Sequence, residues 1–187
     1  MPFEAKFDMI YRESFGRQPD RGDKSLIMRK KDKALYLIRW ATSEDWQAVM
    51  DMVWRTFLQF EAGDYTQEGI ASFRDFITDS RLYRMFVEGN YPMLVAVDGS
   101  RIIGQISVRN GNHISLLFVD REYHRKGVGR KLIERMAEYL KKERHELYMS
   151  VKAAPYALGF YYRVGFHACS KEEEYSGIRV TSMEKFL

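Results

Sequence analysis

Two glycines and a cluster of cations lie where an apolar segment gives way to a helical pattern. Gly127 and Gly129 are surrounded by basic residues, namely Arg125, Lys126, Arg130 and Lys131. Because glycine has no Cβ, a ligand can approach the backbone closely there. A helix that begins at this point also offers unpaired N–H groups and the positive end of its dipole. The segment predicts a cradle for a pyrophosphate, and a tight strand-to-helix turn with solvated charges is the alternative.

Two familiar phosphate-binding loops do not fit these residues. A Walker loop requires Lys and then Ser or Thr after its last glycine, but Arg130 follows Gly129. The dinucleotide-binding fingerprint requires a third glycine, and Leu132 stands at that position. The turn therefore matches neither of these two loops.

The elements that would position this turn follow from hydrophobic periodicity and turn residues. Before the turn, three strands separated by tight turns predict an antiparallel meander over residues 92–97, 101–108 and 114–119. After it, a helix over about 127–142 leads to a strand at 146–151. A strand, a helix and a further strand require a crossover, and hence a parallel pair.

The remaining segments complete a mixed α/β pattern. The first half predicts a strand at 35–39, a helix from Thr42 with Trp46, Val49 and Val53 on its apolar face, and a second helix from about Thr66. The last part predicts a helix from Pro155 that Gly165 ends, and strands near 166–169 and 178–183. The expected fold is a mainly antiparallel central sheet flanked by helices.

Composition limits the class of protein. The 187 residues fit one domain, which we place at residues 35–187, after a charged N-terminal appendage of residues 1–34 that we expect to be partly ordered. No apolar run approaches the ~18 residues of a membrane span, and the start does not resemble a signal peptide. With a single cysteine and a formal charge of +4, a cytoplasmic location is expected.

Two motifs in register carry a resemblance to a known family. The run from Leu117 to Ile133 resembles the acetyl-CoA motif of the GNAT acetyltransferase superfamily, with His124 where Gln or Arg is usual. The run from Ala157 to Phe166 resembles the family's later Ala-x-x-Phe-Tyr-x-x-x-Gly-Phe segment, and Ala154 replaces an Asn often found before it. The resemblance covers about residues 35–187 and implies a parallel strand pair that splays at the cofactor site.

The resemblance implies acetyl-CoA as co-substrate and no metal. By position it assigns the cofactor to the end of one strand and the glycine turn, namely Phe118, Val119, His124, Arg125, Lys126, Gly127, Val128, Gly129 and Arg130. It implies direct transfer of an acetyl group to a primary amine in a ternary complex. Such a reaction requires a proton acceptor for the amine and a proton donor for the leaving thiolate.

The resemblance also suggests the proton-transfer groups. Tyr161 matches the tyrosine that the family often uses to protonate the thiolate, although it could be only a core aromatic residue. His113, six residues before Val119, matches the place of a glutamate base in some members, and histidine suits base chemistry near neutral pH. His113 could instead be the shoulder of a turn, with a relay water as the base.

The acceptor side is expected at the first two helices, where Trp54, Phe57 and Tyr65 lie near carboxylates. Aromatic rings and acids could hold a cationic amine, or they could belong to the core and to a solvated loop. A small molecule or a peptide amine fits, and a homodimer is an assembly the family often forms.

A non-catalytic acyl-CoA-binding regulatory module is the second interpretation of the sequence. A nucleic-acid-binding protein using its basic arm is a third, for which binding should weaken steeply with salt.

Overall fold

The computed structural model describes residues 36–175 and 178–187. Its strands are β1 Leu37–Trp40, β2 Met93–Asp98, β3 Arg101–Arg109, β4 His113–Val119, β5 Tyr148–Ala153, β6 His167–Ala168, β7 Glu173–Tyr175 and β8 Ile178–Phe186. Its α-helices are α1 Trp46–Phe60, α2 Gln67–Thr78, α3 Ser80–Val87, α4 Val128–Glu143 and α5 Leu158–Arg163. The sheet order in the described residues is β1-β2-β3-β4-β5-β8-β6, and β7 pairs with β8 beside it.

Strands β2, β3 and β4 form the predicted antiparallel meander. Gly99 (φ +57°) and Gly111 (φ +85°) lie in its two turns, in the left-handed region that glycine reaches without steric cost. β1 adds to the outer edge of β2, again antiparallel. These confirmed pairings fix β4, the strand that leads into the glycine turn.

The parallel pair is formed by β4 and β5, which α4 connects. It includes only two residue pairs, His113 with Ser150 and Ile114 with Val151. Beyond them β4 and β5 separate, although β3 stays paired with β4 as far as Val119. The splay that was expected therefore opens a cleft between the C-terminal halves of β4 and β5.

Helices cover both faces of the sheet. α4 packs on one face through a stripe that includes Leu132, Ile133 and Met136, and α1 packs on the other through Val53 and Phe57. These five side chains are at most 1% exposed. Full burial of one such side chain stabilises the fold by roughly 1.5–3 kcal/mol relative to exposure. The ends of α1 and α4 are thus firmly anchored where they border the cleft.

Two elements were not predicted. Asp79 ends α2 and caps α3, accepting from the Arg81 N–H at 2.8 Å, so a further helix begins where no element was predicted. β7 consists of charged and aromatic residues without alternation, and its strand character comes from pairing with β8.

The proposed appendage at 1–34 lies outside the described residues. No helix in 36–175 or 178–187 combines the length and apolarity that crossing a membrane requires.

Candidate active site

A cleft of about 720 Å³ lies where β4 and β5 separate. The C-terminal end of α1, the end of β4, the glycine turn, the start of α4 and α5 border it. Its lining residues are Thr56, Phe60, Glu61, Leu117, Phe118, Val119, Tyr123, His124, Arg125, Gly127, Val128, Gly129, Arg130, Tyr156, Ala157, Gly159, Phe160, Tyr161, Arg163 and Val164. A second concavity, of about 750 Å³ beside β1 and the β2–β3 turn, contains none of these residues.

The glycine turn delivers the N-terminus of α4 to the cleft. Gly127 has φ +82°, and the first intrahelical bond runs from the Lys131 N–H to the Gly127 carbonyl at 3.0 Å. The N–H groups of Val128, Gly129 and Arg130 precede that bond, so helix geometry leaves them without an intrahelical acceptor. They combine with the helix dipole to make an anion site at the cleft wall.

Gly129 permits close contact between α4 and α5. A Cβ at this position would lie 3.1 Å from the ring of Phe160, closer than carbon atoms normally pack. The glycine therefore keeps the turn's backbone uncovered on the cleft side. Together with the three N–H groups at the start of α4, this makes a cradle that fits a diphosphate.

The cations of the turn differ in their placement. Arg125 and Arg130 line the cleft, as expected, and Arg163 of α5 joins them. The Lys126 ammonium instead lies 5.0 Å from the centre of the Tyr123 ring, and Lys126 is not among the lining residues. Sequence reasoning missed Arg163, although its position two residues after Tyr161 was a usable signal.

His124 lines the cleft but binds protein, not solvent, through one nitrogen. Its Nε2 lies 2.7 Å from the Val119 carbonyl, and because a carbonyl only accepts, Nε2 must carry the proton. Nε2 is thus occupied by β4, and Nδ1 is the ring nitrogen left for a ligand. The Phe60 ring packs against the same ring at a tilt, with the ring centres 4.8 Å apart. In this arrangement His124 ties the turn to β4.

The edge of β4 supplies backbone donors to the cleft. The Asp120 N–H points to β3, where it bonds the Ile103 carbonyl at 2.8 Å. Because strand residues alternate in direction, the N–H groups of Leu117 and Val119 point the other way, into the cleft. The sequence assigned Phe118 and Val119 to the cofactor, and both line the cleft, although the Phe118 N–H points to β3 and its side chain is mostly buried. Sequence reasoning did not assign Leu117, the second residue whose N–H points into the cleft.

Tyr161 is brought to the cleft by the turn that begins α5. Its side chain is 5% exposed, and the residue lines the cleft. Burial raises the pKa of the Tyr161 phenol, and the charge of Glu61 raises it further. The phenol therefore stays protonated at neutral pH, which is the state of a proton donor.

Glu61 is one of the carboxylates near the expected acceptor aromatics, but sequence reasoning gave it no role in proton transfer. It follows the last residue of α1, is partly buried, and lines the cleft. Burial raises the pKa of its carboxyl to about 7, although a hydrogen bond from Tyr65 opposes the shift and Asp64 adds to it. A carboxyl with a pKa near neutrality can accept a proton at physiological pH. The raised pKa comes mainly from burial, which a short sequence motif does not reveal.

His113 lies at the closed end of the strand pair and is not among the lining residues. Its Nδ1 is 2.9 Å from the Ser150 Oγ. Burial, with smaller effects of Arg109 and Lys152, lowers the pKa of His113 to about 4. Six residues of strand separate it from Val119, a distance of roughly 20 Å. The structure does not bring His113 together with Tyr161.

The three aromatic residues expected to hold the acceptor are also outside the lining. Phe57 is fully buried, stacked on Trp54 at 5.6 Å and meeting Tyr65 edge-on at 5.0 Å. Tyr65 reaches the cleft only indirectly, through its hydrogen bond to Glu61. On the same helix Thr56 and Phe60 line the cleft, one turn apart, and Tyr156 stacks on Phe60 at 5.8 Å.

A mainly antiparallel sheet that splays at one parallel pair, with a phosphate cradle at the opening, is the architecture of acyl-CoA-dependent acetyltransferases. The family model described as an acetyltransferase (GNAT) domain matches residues 61–187. The chain therefore belongs to the GNAT acetyltransferase family.

Solved structures show the same fold. A GCN5-related N-acetyltransferase from Rhodopseudomonas palustris is 23% identical with a TM-score of 0.69, over 88% of this chain and 100% of that one. The PaiA N-acetyltransferase from Thermoplasma acidophilum, solved with coenzyme A, is 22% identical with a TM-score of 0.68, over 81% and 99% of the two chains. At such identities the likeness describes the fold alone. No curated protein sequence matches the chain significantly.

Proposed function

We propose that this acetyltransferase moves an acetyl group from acetyl-CoA to a primary amine by direct attack while both substrates are bound. The observation that carries the proposal is that one cleft holds a phosphate cradle, two strand-edge N–H groups, a protonated phenol and a carboxyl poised near neutrality. Each corresponds to one requirement of amine acetylation.

The described residues suit acetyl-CoA. The cradle of Val128, Gly129 and Arg130 would hold the pyrophosphate, and the basic side chains of Arg125 and Arg163 add attraction for it. The edge of β4 would pair with the amide-bearing arm as an added strand does. When bound, acetyl-CoA supplies the acetyl group in activated thioester form.

Two side chains of the protein would carry out the two proton transfers, one each. Glu61, as carboxylate, would take the proton from the incoming ammonium so that its nitrogen can attack. The Leu117 and Val119 N–H groups would stabilise negative charge on the carbonyl oxygen. Tyr161 would hand its phenolic proton to the departing sulfur. On this account Glu61 is favoured over His113 as the base, because only Glu61 lies in the cleft.

The acceptor would enter between Phe60, Glu61 and Tyr156. Two aromatic faces beside a carboxylate suit a cationic amine. A small molecule and a peptide end or lysine both satisfy this chemistry. A cytoplasmic enzyme, alone or as a homodimer, is the form we propose, consistent with one exposed free cysteine in the described residues.

Release of free thiol from acetyl-CoA, measured across a panel of amines, tests the proposal. We expect release that depends on at least one amine class and that saturates with it. Binding of acetyl-CoA, seen as a thermal shift, without release for any amine would instead support the regulatory acyl-CoA-binding module. Because Tyr161 and Glu61 stand beside the same cradle, we expect catalysis.

A further inference from the structure

Three different metal-ligating side chains meet on the outer edge of the sheet, away from the catalytic cleft. The ligand atoms of His167, Cys169 and Glu184 all lie within 4.8 Å of one another. None of the three residues lines the cleft. They offer an imidazole nitrogen, a thiol sulfur and a carboxylate oxygen, which are the three donor types found at zinc sites.

The backbone places these groups, so their meeting is built into the sheet. His167 on β6 is directly paired with Glu184 on β8, and directly opposed residues of an antiparallel pair point to one face. Cys169 follows His167 by two residues and so shares that face. The Cys169 N–H bonds the Ser182 carbonyl at 2.8 Å, which extends the pairing to this residue.

The side chains are also oriented toward each other. The His167 ring stacks on Phe186 at 5.4 Å, which restrains the imidazole. The Cys169 thiol is within hydrogen-bonding reach of the Glu184 carboxylate and lies 3.7 Å from the His167 carbonyl. Ligand atoms around zinc are about 3.5 Å apart, so these side chains need move only about 1 Å inward.

The nearest lysine in the chain is engaged elsewhere. The Lys185 ammonium bonds the Val164 carbonyl at 2.5 Å. A thiolate and a carboxylate together carry two negative charges, which match a divalent ion. A thiolate in the set favours zinc over magnesium or calcium.

We infer that His167, Cys169 and Glu184 form a binding site for Zn²⁺, with water as the fourth ligand, that clamps the edge strand β6 to β8. On binding, the thiol loses its proton to solvent and the metal takes its place. β6 has only two residues in the sheet, so a metal tie would hold an otherwise weakly attached edge. The inference is independent of the proposed acetyl transfer.

Cobalt(II) added to the chelator-treated full chain, with a phosphine as reductant, tests this site. Cys169 is the chain's single cysteine, so a thiolate-to-cobalt charge-transfer band in the near ultraviolet reports it alone. We expect one cobalt per chain, displaced by zinc, and no band in Cys169→Ser. His167→Gln and Glu184→Gln should each weaken cobalt binding at least tenfold, and the nearby control Glu174→Gln should not.

Three results would overturn the site. These are no band in the wild-type chain, a band of unchanged affinity in both His167→Gln and Glu184→Gln, and one metal shared by two chains. Thermal unfolding checks that the variants fold: without metal, Cys169→Ser should melt at the wild-type temperature. Zinc should then raise the melting temperature of the wild type alone, because a ligand that binds the folded state stabilises it.

Discussion

Burial of Glu61 gives its carboxyl a pKa that suits a general base. Tyr65 donates to its carboxylate, and its charge raises the pKa of both Tyr156 and Tyr161. One carboxyl thus interacts with three phenols around the proposed acceptor site. Because desolvation raises the pKa of Glu61 to about 7, its basic form develops across the physiological range.

Glu61→Gln tests that role through the pH–rate profile. A raised pKa means that the carboxylate appears as pH rises, so wild-type turnover should increase between about pH 6 and 8 and then level off. Gln keeps the acceptor for Tyr65 but cannot take a proton. We expect turnover to fall about 100-fold, without the rising limb. Glu68→Gln, on the exposed first turn of α2, is the matched control and should keep the wild-type profile.

Tyr161→Phe removes one oxygen from the cleft and leaves the ring packing. If Tyr161 protonates the leaving sulfur, turnover should fall at least about tenfold, and the affinity for acetyl-CoA, measured by calorimetry, should stay nearly unchanged. Tyr162→Phe, on the exposed neighbour, is the control. Wild-type turnover in Tyr161→Phe would remove the acid role.

His113→Ala distinguishes the two candidate bases. Since His113 lies outside the cleft and burial lowers its pKa to about 4, we expect the pH–rate profile to stay as in the wild type. The substitution should instead change how stability depends on pH. In the unfolded chain the His113 side chain binds a proton near pH 6.5, whereas in the folded chain it does so only near pH 4. Urea unfolding should show wild-type stability falling between about pH 6.5 and 4, and less so in His113→Ala. If His113→Ala lacked the rising limb of the pH–rate profile, His113 would again be the favoured base.

At the scale of elements, the glycine turn couples β4 to α4. Gly127 adopts φ +82°, and a Cβ at this position would have no neighbouring atom within 4 Å, so the requirement for glycine is purely conformational. Gly127→Ala should destabilise the chain by about 1–2 kcal/mol, and Gly127→Asn should cost less, because Asn tolerates left-handed backbone. Gly63→Ala also enters open space but at ordinary φ, so urea unfolding should show a much smaller effect.

The sequence predicted this element well because its signals are local. Alternating strands, the glycine turn and the periodic stripe of α4 each depend on neighbours in the chain. α3 and β7 escaped prediction because a cap at Asp79 and pairing with β8 define them. Both are features that apolar periodicity does not record.

The cofactor side of the candidate site and Tyr161 could be predicted from motifs, but most of the acceptor side could not. Val119, Gly127 and Gly129 belong to one contiguous turn, and the structure places them together in the cleft. The acceptor side combines α1 with α5, which are about 100 residues apart in the chain. Phe57 and Phe60 lie three residues apart on nearly the same face of α1, so periodicity did not show that only Phe60 lines the cleft.

At the scale of the whole molecule, two cores share one sheet, and the cleft opens between them at the splay. The end of α1 and the turn that begins α5 border the proposed acceptor side, and the glycine turn and the start of α4 border the cofactor side. The two substrates would thus approach from opposite faces of β4 and meet at its end. This arrangement supports the proposed direct transfer, because neither substrate would have to leave before the other binds.

Product stoichiometry in the purified full chain tests this account most directly. With acetyl-CoA and a reactive amine, free thiol and acetylated amine should appear together, in equal amounts, with the amine product identified by mass spectrometry. Thiol released without acetylated amine, or acetyl-CoA bound with neither product formed across the amine panel, would contradict it.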